Sequence, residues 1–340
     1  MPNLYPSPGQ SPRWVLVRGS HAHGRRGPHR TAVEGAVLLV CVVILLISLV
    51  GCGTADASDE PRDERPVVLT TFTVLADMAR NVAGDHLRVE SITKAGAEIH
   101  EYEVTPSDLR KADRARLILD NGLGLELWFA KFIDRIDAPH VVLSDGVDTI
   151  PIAEGSYQGR ANPHAWMSPV AAQVYITNIE NAFVALDPVH AADYRANAAG
   201  YRQQVAALQA ELVTEIAALP TNQRALVTCE GAFPYLARDA GLTERYIYPV
   251  NGDAESTPQQ VASLISFIRE NQVPAVFCES TVNGNTQRRI AAESGAAFGG
   301  ILYVDSLSEA DGPVPTYLDL LRHDVDTIVA GLTGAAGGTR

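Results

Sequence analysis

The chain has 340 residues, 46% of them hydrophobic and 20% charged, and its 27 basic against 40 acidic side chains give a net charge of −13. That length suits about two domains of ~100 to 200 residues, and periodic apolar segments mark a globular body beyond residue 65. The acidic balance argues against nucleic acid as a partner and favours cations.

Arg25, Arg26 and Arg30 precede an apolar run from Ala36 to Val50. At about 15 residues, the run suits the core of an export signal and is short for a spanning helix of ~20. It ends in Leu49-Val50-Gly51-Cys52, similar to the bacterial lipobox, where small residues precede a cysteine that is lipidated and becomes residue 1 after cleavage. Residues 1–51 are therefore expected to be a lipoprotein signal peptide and Cys52 the lipidation site. The competing reading is a chance cysteine behind a hydrophobic anchor. The leader is longer than usual, so a downstream Val start is an alternative to Met1. Removing residues 1–51 takes away five Arg and one Glu and leaves 22 basic and 39 acidic groups, a net of −17. Residues 52–66, polar and without periodicity, read as a flexible tether.

From Val67 the pattern alternates short β-rich runs with helical segments: Val67 to Thr71, Leu87 to Thr93, Ala115 to Asp120, His140 to Leu143. Such alternation implies parallel βαβ units. Thr105-Pro106-Ser107-Asp108 predicts a capped helix start. These elements define an N-terminal α/β lobe over residues 67–168.

Residues 169–220 read as a helical connector. Ser168-Pro169 opens one helix through about Leu186, and Asp187-Pro188 opens a second, with Tyr201, Val205, Leu208, Leu212, Ile216 and Leu219 at spacings of three and four. Pro220 stops it. A helix of roughly 30 residues spans ~45 Å and would bridge two lobes as a rigid rod. The alternative is a helical hairpin packed on one lobe.

The C-terminal α/β lobe, residues 221–340, repeats the outline with strand-like runs at Ala225 to Thr228, Arg245 to Tyr248, Ala275 to Phe277 and Phe298 to Val304, and a capped helix opens at Thr257-Pro258. The fold expected is α/β: two lobes, each with a four-stranded parallel sheet flanked by helices, bridged by a long rigid helix. Cys229 and Cys278 close two of the strand-like runs. In an oxidising compartment they can pair, but buried thiols are the expected state.

Four metal-type side chains, His100, His164, Glu230 and Asp305, stand 64, 66 and 75 residues apart, each where a strand-like run gives way to a loop. Ligands of open parallel sheets sit at the carboxyl ends of the strands, so these four are expected to converge on one ion between the lobes. Two imidazoles with two carboxylates and no thiolate suit Mn²⁺, Fe²⁺ or Zn²⁺. Bidentate carboxylates raise the coordination number above four, which favours Mn²⁺ or Fe²⁺ over tetrahedral Zn²⁺. Because imidazole must be neutral to bind, affinity should weaken as pH falls through about 6.5. His86, His140, His190 and His323 have no comparable setting and read as structural. Glu279 reads as lining the cleft or supporting a ligand, Asp253 and Glu255 as solvated, and Trp128 and Trp166 as packing residues.

Several blocks around the four residues resemble the zinc and manganese solute-binding lipoproteins of ABC transporters. Ala97-Glu98-Ile99-His100-Glu101-Tyr102-Glu103-Val104-Thr105-Pro106 is similar to that family's first histidine motif, Asn121 through Trp128 to its next block, and Asn162-Pro163-His164-Ala165-Trp166-Met167-Ser168-Pro169 to its second histidine motif. The third, from Cys229 to Leu236, carries Glu230 where zinc members typically have His, and the fourth is Tyr303-Val304-Asp305-Ser306-Leu307. Together they cover residues 67 to 330 in order. The resemblance implies two α/β lobes bridged by a long helix, an ion between them, and delivery to an ABC permease and its ATPase. Glu230, and the short stretch from Ser144 to Asn162 without a His-rich loop, point to the manganese and iron branch. Val104 replaces the usual proline, and Asn162 stands where Asp is common; both affect local loop shape more than metal binding.

The expectation is a monomeric, extracytoplasmic receptor, lipid-anchored to the membrane, that captures a divalent transition metal, Mn²⁺ first, and passes it on without catalysis. The rivals are a metal-stabilised surface adhesin and a metallohydrolase. A hydrolase needs an open coordination position with a base beside it.

Overall fold

The computed structural model describes residues 63–129, 136, 138–250 and 257–334. The expected signal peptide, Cys52, most of the tether, Asp253 and Glu255 lie outside the described residues. The described residues from Glu64 onward belong to one unit, and among them no helix is long and apolar enough to cross a membrane.

The first half contains β1 (Val67–Thr70), α1 (Thr73–Ala83), β2 (Arg88–Ser91), α2 (Pro106–Ala112), β3 (Leu117–Asp120) and β4 (His140–Val142). The strands form one parallel sheet in the order β2-β1-β3-β4, with Val68 opposite both Val89 and Leu117. Both faces are covered, so β1 and β3 are buried along their whole length. Val68 packs into one apolar cluster and Leu69, pointing the other way, into a second. The start of α2 is closed as expected, the Asp108 carboxylate accepting from the Thr105 N–H at 2.9 Å and its hydroxyl at 2.7 Å.

A tight turn, Ala165–Met167, leads into α3 (Pro169–Leu186), whose first amides donate to Ser168 Oγ. The long helix α4 runs from Ala191 to Ala217, 27 residues or ~40 Å, and starts later than the sequence predicted. His190 Nδ1 and the Tyr194 hydroxyl both take the Asp187 carboxylate, at 2.6 and 2.7 Å. Asp187 therefore caps no backbone amide, and Pro188–His190 form a separate 3₁₀ turn. The buried stripe from Tyr194 to Ile216 packs on α1 of the first half and on α3.

The second half follows with β5 (Ala225–Glu230), α5 (Pro234–Ala240), β6 (Thr243–Tyr248), α6 (Pro258–Asn271), β7 (Ala275–Glu279), α7 (Asn285–Ser294), β8 (Ala297–Leu302) and α8 (Tyr317–Thr333). Helix α4 also packs on α5 and α8, so it contacts both halves. The expected four-stranded ladder is interrupted here: β5 pairs with β6 and β7 with β8, both parallel, while β5 and β7 lie side by side as members of separate ladders. The buried Gln287 amide fills part of that seam, donating to the carbonyls of Val227 at 3.2 Å and Phe277 at 2.8 Å. Cys229 and Cys278 form a disulfide across the seam, with Cα atoms 4.9 Å apart. This corrects the expectation of two thiols: neighbouring strand ends place the pair within bridging distance.

One apolar cluster continues from Val68, Phe72 and Leu75 through Trp166, Tyr175 and Leu208 to Phe277 and Leu320. Hydrogen bonds cross with it, from Tyr317 N to Asp77 Oδ2 at 2.9 Å and from Trp166 Nε1 to the Val304 carbonyl at 3.1 Å. The halves thus share a core, and separating them would expose it.

Candidate metal centre

Each candidate ligand is held by its own local chemistry. His100 lies in the loop after β2, where the Glu98 carboxylate accepts from the amides of His100 at 2.8 Å and Glu101 at 2.9 Å. Upstream, the amide of Gly96 donates to Ser306 Oγ at 2.7 Å and the Leu307 carbonyl at 3.1 Å, tying that loop to the second half. His164 sits between Pro163, whose carbonyl accepts from Asn121 Nδ2 at 3.0 Å, and the turn at Ala165. Glu230 is the last residue of β5, its amide donating to Glu279 Oε2 at 3.2 Å. Asp305 follows β8 by three residues. Its Oδ2 accepts from Thr281 at 3.1 Å, while its buried Oδ1 accepts no hydrogen bond.

The four side chains converge. His164 Nε2 is 3.3 Å from His100 Nε2, 3.8 Å from Glu230 Oε1 and 3.8 Å from Asp305 Oδ1, and His100 Nε2 is 3.6 Å from Glu230 Oε1. Donors at ~2.0 to 2.3 Å from a shared centre stand ~3.3 to 3.8 Å apart at tetrahedral angles, so these separations leave room for one transition-metal ion. His164 is fully buried and the other three side chains are at most 5% exposed.

The electrostatics favour a cation. Burial, with His100 close by, holds the His164 imidazole well below its ordinary range and so neutral. Burial raises Asp305, and it pushes Glu279 up to about 8. Concentrating carboxyl groups in a dry site is unfavourable without positive charge, which a divalent ion supplies. A second close group, Cys229, Cys278 and Glu279, has both sulfurs in the disulfide and offers no thiolate.

The other histidines singled out from the sequence have partners elsewhere. His86 pairs with Asp193, His190 with Asp187 and His140 with Asp120, and His323 bonds the Ile301 carbonyl. Glu279 accepts the amide of the candidate ligand Glu230. Trp128 does more than pack, because its Nε1 donates to the Ile99 carbonyl at 2.8 Å, next to His100. Sequence reasoning missed Thr281 and Ser306 as supports and noted Asn162 only as a motif departure; Ser306 and Asn162 stand beside candidate ligands in the sequence, which was the available signal, whereas Thr281 is 24 residues from Asp305 and gave none. A 620 Å³ cleft lined by Ile150, Glu154, Glu244, Arg245 and Phe267 lies beside β6 and contains none of the four candidate ligands.

Comparison with known proteins bears on this geometry. The family described as ZnuA, zinc-uptake complex component A, periplasmic, matches residues 68–331. The iron-binding protein YfeA of Yersinia pestis is 48% identical over 297 residues, covering 87% of this chain and 95% of that protein. The manganese ABC transporter substrate-binding lipoprotein PsaA of Streptococcus pneumoniae is 30% identical over 305 residues, covering 87% and 98%. Among solved structures, a Mn-bound periplasmic metal binding protein from candidatus liberibacter asiaticus superposes with a TM-score of 0.74 at 38% identity, covering 79% of this chain and 100% of that one. The periplasmic zinc binding protein TroA from Treponema pallidum gives 0.71 at 26% identity, covering 79% and 99%.

Proposed function

Because the chain belongs to the ZnuA family of periplasmic zinc-uptake components, we propose that it is the extracytoplasmic receptor of a metal ABC importer, holding its cargo with His100, His164, Glu230 and Asp305. The observation that carries this is the convergence of two imidazoles and two carboxyl groups at 3.3 to 3.8 Å in a buried site. Mn²⁺ is the first candidate cargo and Fe²⁺ the second, with Zn²⁺ possible. Two carboxylates can each give a second oxygen, and hard ions of higher coordination number use such donors better than tetrahedral zinc does. The relatives named for iron and manganese support the same branch.

The rest of the proposal follows the sequence. Residues 1–51 direct export, Cys52 carries the lipid, residues 52–66 tether the body to the membrane, and lobes 67–168 and 221–340 flank the connector 169–220. The protein acts as a monomer with a permease and its ATPase. It catalyses no reaction, since all four side chains are committed to the ion and leave no base beside an open position. A shared core makes loop movement at the ligands, rather than wide opening of the halves, the route of release.

The test is the melting temperature of the metal-stripped chain with Mn²⁺, Fe²⁺ and Zn²⁺ in turn. Ligand at ~100 times its dissociation constant adds about 2.7 kcal/mol to a folded state that alone binds it. Wild type should show the rise and Glu230→Ala should lose it. No rise with any of the three ions refutes the reading, and normal metal uptake in cells carrying His100→Ala at wild-type abundance would favour the adhesin.

A further inference from the structure

Asn162 lies between two ligand loops, and both ends of its amide meet partners with a single possible role. Its Oδ1 is 3.0 Å from the His164 backbone N–H, which can only donate. Its Nδ2 is 2.7 Å from the Gly231 carbonyl oxygen, which can only accept. Together they fix which end of the side chain is oxygen. The same oxygen stands 3.0 Å from His164 Nδ1. A bare oxygen there requires Nδ1 to carry the ring proton, and a neutral imidazole protonated at Nδ1 has its lone pair at Nε2. Nε2 is the atom that faces His100, Glu230 and Asp305.

The other end of the amide reaches across the site. Gly231 follows Glu230, and it is closely packed: a Cβ there would meet the Pro249 carbonyl oxygen at 2.5 Å. Asn162 is itself held, its amide donating to Ile150 O at 2.8 Å and its carbonyl accepting from the Tyr235 hydroxyl at 2.7 Å, and it is only 4% exposed.

We propose that Asn162 is a positioning residue for metal capture, setting the tautomer of His164 and tying that ligand's loop to the loop of Glu230 in the opposite half before an ion arrives. This rests on the reading that His164 and Glu230 hold the ion. Keeping both bonds requires an amide. A carboxylate at 162 keeps the acceptor for His164 but turns an oxygen toward the Gly231 carbonyl, whereas leucine removes both bonds.

The experiment is ¹⁵N NMR of the histidine side chains in the metal-free chain, with His164 assigned by its loss in His164→Ala, alongside Mn²⁺ affinity and release rate. Wild type should show Nδ1–H at His164. Asn162→Leu should shift the ring toward Nε2–H and lower Mn²⁺ affinity about 10- to 100-fold, the usual effect of losing a ligand's supporting partner. Asn162→Asp at pH 8 should keep Nδ1–H yet release Mn²⁺ several times faster. A folded Asn162→Leu with unchanged tautomer and affinity within twofold overturns the proposal. So does Asn162→Asp with wild-type release, which decides the matter if the leucine variant fails to fold. A wild-type chain that shows Nδ1–H but binds none of Mn²⁺, Fe²⁺ or Zn²⁺ overturns the metal reading while leaving the tautomer assignment in place.

Discussion

Replacing Cys229 and Cys278 together by alanine should destabilise the folded chain by about 4 kcal/mol. The bond spans 49 residues of sequence, and the chain-entropy relation assigns a loop of that size about 14 cal/mol/K, or ~4 kcal/mol at 25 °C. Both cysteines are buried, so alanine removes some packing but introduces no unpaired polar group. What remains across the seam is the Glu230–Glu279 bond and the two Gln287 bonds, each worth roughly 1 kcal/mol net. The assay is urea unfolding of the metal-free chain, comparing the oxidised wild type, the wild type under reductant, and the double variant. The last two should coincide and both should unfold at lower urea. A double variant within about 1 kcal/mol of the oxidised wild type would refute the reasoning, and would mean that packing and hydrogen bonds hold the seam without the disulfide.

Two pH effects follow from the buried acids and bases. Burial raises Glu126 from 4.5 to about 7, with Asp120 adding to the shift. Between those values the folded chain holds a proton that the unfolded chain has released, so stability falls as pH rises from 4.5 to 7 and stays lower above. Glu126→Gln, whose amide oxygen can still accept from Thr71 and Asn121, should match wild type near pH 4.5. It should be the more stable chain at pH 8, by at most about 3 kcal/mol at 1.36 kcal/mol per unit; parallel unfolding curves across that range would refute the assignment. The second effect concerns the cargo. Because burial keeps the His164 imidazole neutral well below 6.5, Mn²⁺ binding at pH 6.5 should displace no proton from that ring. Histidine ¹⁵N NMR of the metal-free chain at pH 6.5 checks this, and a doubly protonated His164 ring there would contradict it.

Much of this architecture was legible because its causes are local. The runs Val67–Thr70 and Leu117–Asp120 are apolar on both faces and read as buried parallel strands. Ser168-Pro169 and Thr257-Pro258 announce helix starts that the structure keeps. What escaped notice depends on distant partners. The late start of α4 follows from Tyr194 reaching back to Asp187. The disulfide needs β5 and β7 to be neighbours, which spacing along the chain does not reveal. The four candidate ligands stood out by residue type and position, whereas the bond made by the Asn162 amide becomes visible only once Gly231, 69 residues away, is placed against it.

The apolar cluster common to both halves limits how the protein can announce that it is loaded. A receptor whose halves swing apart presents two silhouettes, and a docking partner can tell them apart by fit. A core shared by both halves opposes such a swing, so a permease that distinguishes full from empty needs a signal other than the separation of the halves. Charge is one such signal: a captured dication adds positive charge to an acidic protein, less any protons it displaces from the buried carboxyl groups. Recognition of that kind weakens as salt screens it, whereas recognition by contour does not.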